Sequence, residues 1–173
     1  IGGQMDILIN TAEVHGAHRV EPRMEAAQAE VDLNYFGLLR LAQEFGPAMR
    51  SRNADGRSGA IAWVNVLSIY ALMNFPPQAT FSASKAAALS LSQWLRAEMR
   101  PSGIRVINVF PGPIEEAGNQ AVPPPKLSPG SLANALVQAL KEGVEDLYPG
   151  EVAQEWLARW LESPKTLERE LSL

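Results

Sequence analysis

The chain has 173 residues, 46% of them hydrophobic, which is enough for one globular core and too few for two comfortable ones. Its net charge of −4, without any run of Lys or Arg, excludes the basic footprint of a nucleic-acid or anionic-membrane binder. The lack of cysteine excludes disulfides, thiolate metal sites and a cysteine nucleophile, and no apolar run approaches the ~20 residues of a membrane span, so a soluble, cytoplasmic protein is the default expectation.

Residues 5–10 (MDILIN) form a short apolar run that predicts a strand, and it starts so soon after Ile1 that further chain upstream is expected. Val31, Tyr35, Leu38, Ala42, Phe45 and Met49 then recur at steps of four and three, one face of a helix over 31–52 that the turn signal NADG should end. A second strand is expected at 59–66 (GAIAWVNV). A second helix, over 81–100, carries Ala88, Leu91, Leu95 and Met99 and stops at Pro101-Ser-Gly103. A third strand follows at 104–110 (IRVINVF). The runs are apolar throughout rather than alternating, which suits strands covered on both faces.

After Phe110 the prolines between Pro111 and Pro129 exclude regular structure and predict a loop. Leu132, Leu136 and Leu140 predict a helix over 129–142, residues 145–148 a short fourth strand, and Val152, Trp156 and Trp160 another amphipathic helix with a weak helical end after Pro164. There is no internal repeat. Strand and helix alternate, so the expected architecture is α/β: a partial doubly wound parallel sheet flanked by helices, with residues 1–173 as a single domain.

One constellation carries chemistry. Phe81-Ser-Ala-Ser-Lys85 opens the second helix, and Ser68 lies 13 residues upstream, just past a strand end. The pattern resembles the Tyr-x-x-x-Lys signature and upstream Ser of the short-chain dehydrogenase/reductases. Asp6-Ile-Leu-Ile-Asn-Thr-Ala-Glu13, Asn34 in Asp-Leu-Asn-Tyr-Phe-Gly37, Asn65-Val-Leu-Ser68, the stretch Ile104 to Pro113 and Leu147-Tyr-Pro-Gly150 fall in that family's order. The resemblance covers nearly the whole chain and implies the C-terminal part of a Rossmann-type fold. It also implies a catalytic set at Asn34, Ser68, Phe81 and Lys85, and cofactor contacts at Asn10, Ala12, Lys85, Pro111, Gly112 and Ile114.

In the working family set, the Lys lowers the phenol pKa from one helical turn away, the phenol passes the proton, the Ser holds the substrate oxygen and the Asn supports a water relay. Phe81 has no hydroxyl, so this set is vestigial. The Gly-rich turn that brings a helix N-terminus to the pyrophosphate does not occur in these residues. Thr11 and Glu13 stand where the family has Asn and Gly, and Glu116 where it has a cofactor-contacting Thr, so two carboxylates face an anionic ligand.

Each residue also has a plainer reading. Phe81 reads as a core aromatic, Ser68 and Asn34 as cap and turn residues, and Lys85 without its tyrosine as a solvated or backbone-bonding lysine. His15 and His18 read as loop residues rather than metal ligands, so no metal is expected. The loop over 122–129 reads as a substrate lid or as a linker.

The resulting expectation is a catalytically impaired family subunit supporting an oligomer, with no cofactor bound by this chain alone. It would associate through the helices near 31–52 and 81–100 with itself or with an active family subunit. The exposed edge of the first strand adds a second reason to associate. The alternative is an NAD- or NADP-dependent oxidoreductase of the family, either with an alternative proton donor or with a cofactor-binding N-terminal segment missing from this chain.

Overall fold

The computed structural model describes residues 5–15, 23–54, 59–116, 119–120, 122–123 and 125–172. Four strands, β1 (Ile7–Asn10), β2 (Ala62–Val66), β3 (Arg105–Val109) and β4 (Asp146–Leu147), form one parallel sheet in chain order. All four sit within the runs expected from the sequence, and β2 is buried along its whole length. The register aligns Asn10 with Asn65, Asn65 with Asn108 and Asn108 with Asp146, so a row of polar residues crosses the sheet near its carboxyl end.

Most of that row is satisfied within the protein, with Asn108 Nδ2 left without a partner among the described residues. The Trp63 indole donates to Asn65 Oδ1 at 2.8 Å, Asn65 Nδ2 donates to Ser92 Oγ at 2.8 Å, and the Ser92 hydroxyl closes onto Asn108 Oδ1. These groups are fully shielded from water, where an unpaired amide costs roughly 1–3 kcal/mol, so the network fixes how the helix carrying Ser92 sits on β2 and β3.

The first helical stretch is longer than its apolar spacing predicts. It begins at α1 (Met24–Glu30), passes through a π-helical segment (Val31–Gly37) and continues as α2 (Leu38–Ala54). The spacing misses α1 because that helix buries only Glu30 and has no apolar stripe. The π segment places Asn34 on the inner side and leaves Leu33 and Phe36 partly exposed at 39% and 40%.

Helix α3 (Ala79–Met99) runs two residues ahead of the expected start and gives way to a 3₁₀ turn (Arg100–Ser102), closed by Gly103 at φ 71°. Helices α4 (Pro129–Glu142), α5 (Glu151–Glu162) and α6 (Pro164–Leu171) follow. The sheet separates two apolar clusters. On one face Leu8, Trp63 and Val106 pack with α2, α3 and the tail helices; on the other Val64, Val66, Ile107 and Val109 pack with Leu136 of α4. The weak helical end expected after Pro164 is anchored in the first cluster by Leu167, buried to 1%. Among the described residues, no helix is long and apolar enough to cross a membrane.

Candidate active site

The carboxyl ends of β1, β2 and β3 point into one crevice, the place where open parallel sheets bind ligands. Ser68, two residues beyond β2, is extended and caps the 3₁₀ turn Ile69–Ala71 by accepting the Tyr70 amide at 3.2 Å. Its cap reading and its site position therefore hold together, since it also lines a cavity of about 20 Å³ with His15, Tyr70, Phe81 and Pro113.

Phe81 and Lys85 stand one turn apart on α3, both buried. Lys85 is not a solvated lysine: it is 1% exposed, because its stem runs inward and its ammonium ends 3.3 Å from the Val66 carbonyl and 2.7 Å from Glu13 Oε2. The same ammonium lies 5.4 Å from the centroid of the Phe81 ring. Glu13, standing in a glycine's family position, is thus the counter-ion of a buried lysine.

Asn34 is fully committed. Its Nδ2 donates to the Val14 carbonyl and to Ser84 Oγ, both at 2.9 Å, while its Oδ1 accepts the Val14 amide at 3.1 Å. The side chain clamps the loop after β1 and so positions Glu13 and His15. Of the residues expected to meet a cofactor, Asn10 folds back to accept the Ala12 amide at 3.2 Å, and the Pro111 carbonyl accepts the Ile69 amide at 2.9 Å. A Cβ on Gly112 would meet Val152 Cβ at 2.8 Å, so this glycine is required by the approach of α5. Ile114 bridges to Leu127 and ties the proline-rich loop to the site.

A second cavity, of about 320 Å³, adjoins the first and is lined by Thr11, Glu13, Val66, Glu116 and residues of α4. Glu13 and Ile114 belong to both and form the partition. The volume lies in the range of small-molecule sites, ~300–1,000 Å³. Among its polar groups Glu13 offers an acceptor for a diol, whereas the two carboxylates of Glu13 and Glu116 repel a phosphate, so the lining fits the ribose–nicotinamide half of a dinucleotide better than its phosphates.

Sequence spacing does not disclose what the loop after β1 brings in. Glu13, His15 and Glu116 present ligand-type atoms within 4.8 Å of one another. A cation there would compete with the ammonium of Lys85, already 2.7 Å from Glu13. The His15 ring stands T-shaped to Phe81 with centroids 5.6 Å apart, and its Nε2 lies 3.3 Å from Glu116 Oε1. The signal available in the sequence was the pair of departures at Glu13 and Glu116; their meeting across 103 positions is tertiary. His18 lies outside the described residues.

Residues 1–126 match the family model for short chain dehydrogenases. The chain is 31% identical over 144 residues to an uncharacterized oxidoreductase of Staphylococcus saprophyticus, covering 81% of this chain and 59% of that protein. It is 30% identical over 122 residues to a short-chain dehydrogenase of Talaromyces islandicus, covering 68% of this chain and 40% of that one. A crystal structure of a short chain dehydrogenase from Burkholderia cenocepacia in complex with NADP superposes with a TM-score of 0.88 at 38% identity, covering 98% of this chain and 69% of that one. The chain therefore spans about half the length of these curated relatives.

Proposed function

The chain belongs to the short-chain dehydrogenase family, and from that premise we propose that it is the catalytic-site portion of an NAD(P)-dependent oxidoreductase working without the family's phenol. The observation that carries this reading is the arrangement around Phe81: Ser68 on the same cavity, Lys85 one turn away, and no hydroxyl between them. When bound, a nicotinamide cofactor supplies or accepts the hydride. Glu13 would hold its ribose hydroxyls and Ser68 the substrate oxygen. Losing a positioned acid/base costs about 10²–10⁴ in rate, so turnover is impaired relative to a tyrosine-bearing relative. The likeness to a protein solved with NADP supports the cofactor class.

Fluorescence titration of the intact protein with NADH and NADPH, beside a carbonyl reductase assay, tests this reading. Micromolar binding with slow turnover is the expected result. Failure of both dinucleotides to bind at millimolar concentration overturns it.

A second reading, a subunit that supports an oligomer, is favoured by Leu33, Phe36 and Trp94, which stay 39–47% exposed on the π segment and α3. Sedimentation of the wild type against a Leu33→Ser, Phe36→Ser variant tests it. A monomeric wild type removes the reading.

A further inference from the structure

We propose that His15, held by Glu116, is the proton donor and acceptor of this site, replacing the hydroxyl missing at Phe81; the proposal rests on the oxidoreductase reading above. Three observations converge on the imidazole. It packs against the Phe81 ring at 5.6 Å and lines the small cavity that Ser68 also lines. It is well sheltered, with 11% of its side chain exposed. Its Nε2 faces Glu116 Oε1 at 3.3 Å, and Asn119 Nδ2 donates to that same oxygen at 3.1 Å, so the carboxylate is itself held in place.

This is the division of labour of a carboxylate–imidazole pair: the carboxylate fixes one ring nitrogen as N–H and leaves the other to exchange a proton with the reactant. Among the described residues Nδ1 has no hydrogen-bond partner, so it is the exchanging atom. In the reducing direction a hydride from the nicotinamide adds to the carbonyl carbon of a ketone or aldehyde. The C=O π pair moves onto oxygen, and that oxygen takes the proton from Nδ1. The imidazolium becomes a neutral imidazole that keeps Nε2–H on Glu116, and the reverse path oxidises the alcohol.

The charged surroundings are accounted for. Glu116 and Glu13 both lie within the 4.8 Å cluster around His15, and Lys85 pairs with Glu13 at 2.7 Å. Tyr70 is the rival donor on the same cavity. Burial pushes its phenol up to about 12, with no cation acting to bring it back, which makes it a poor exchanger at neutral pH.

The test uses the intact protein and three readouts. Nitrogen NMR of the His15 ring should report the Nε2–H tautomer in the neutral form, lost as a single species in Glu116→Leu. Under NADPH saturation, His15→Gln should lower kcat by ~100-fold or more, while dinucleotide Kd stays within about threefold. The fall in reductive rate with rising pH should disappear in that variant. Activity of His15→Gln within threefold of wild type overturns the proposal, as does loss of turnover in Tyr70→Phe with retention in His15→Gln. Dinucleotide binding without turnover on any carbonyl overturns the dyad alone; absence of binding overturns the oxidoreductase reading with it.

Discussion

Lys85 Nζ lies 2.7 Å from Glu13 Oε2, with the lysine side chain 2% exposed and the glutamate 22% exposed. A glutamate in a position that the resembling family gives to glycine thereby becomes the counter-ion of the lysine that the family sets beside its phenol. Several consequences can be measured.

Glu13→Gln removes the charge partner of a buried ammonium that otherwise reaches, among the described residues, the Val66 carbonyl and the face of the Phe81 ring. Breaking a buried pair costs ~3–5 kcal/mol. The open edge of Glu13 reduces this to about 1–3 kcal/mol. Urea unfolding at neutral pH should show the loss, and Glu13→Gln with Lys85→Met should recover most of it.

Phe81→Tyr should raise turnover by less than about tenfold. A phenol added there would sit beside an ammonium whose charge is already balanced by Glu13, so the usual lowering of the phenol pKa is weakened. A steady-state assay of the single variant and of Phe81→Tyr with Glu13→Gly checks this. A jump of ~100-fold or more in the single variant would show that the missing hydroxyl alone limits the site.

Gly112→Ala should destabilise the fold by roughly 1–3 kcal/mol through overpacking. The new methyl would lie 2.8 Å from Val152 Cβ and 2.9 Å from Cγ1, which forces α5 away from the loop after β3. Val152→Ala should relieve most of the cost, and a double-mutant cycle of thermal unfolding measures the coupling.

Stability should fall between about pH 10 and 12. Tyr70 ionises near 10 when unfolded and is pushed up to about 12 by burial, so the native state binds the extra proton in that window. Its contribution is complete below pH 10 and is lost as pH rises through 12. Two units correspond to ~2–3 kcal/mol. Denaturation at several alkaline pH values should show a shallower decline in Tyr70→Phe.

Leu167→Ala should cost ~2–4 kcal/mol, because the side chain is 1% exposed in the larger core cluster. A value near zero in urea unfolding would mean that α6 does not fold as part of the domain.

The sequence by itself determined the α/β order, the parallel sheet and the four strands, because continuous apolar runs such as 62–66 and the three-four spacing of Leu38, Ala42, Phe45 and Met49 are local consequences of burial. Its resemblance to the family also pointed to Asn34, Ser68, Phe81 and Lys85, and it marked Glu13 and Glu116 as departures. The start of the first helix escaped it, since α1 carries no apolar stripe and the π segment shifts the helical phase before α2. Only the tertiary structure decided that Lys85 is buried against Glu13, that Gly112 answers to Val152, and that His15 meets both Phe81 and Glu116. Those are contacts between groups up to 101 residues apart, fixed by how the loops after β1 and β3 converge at the sheet's carboxyl edge, and no local periodicity encodes them.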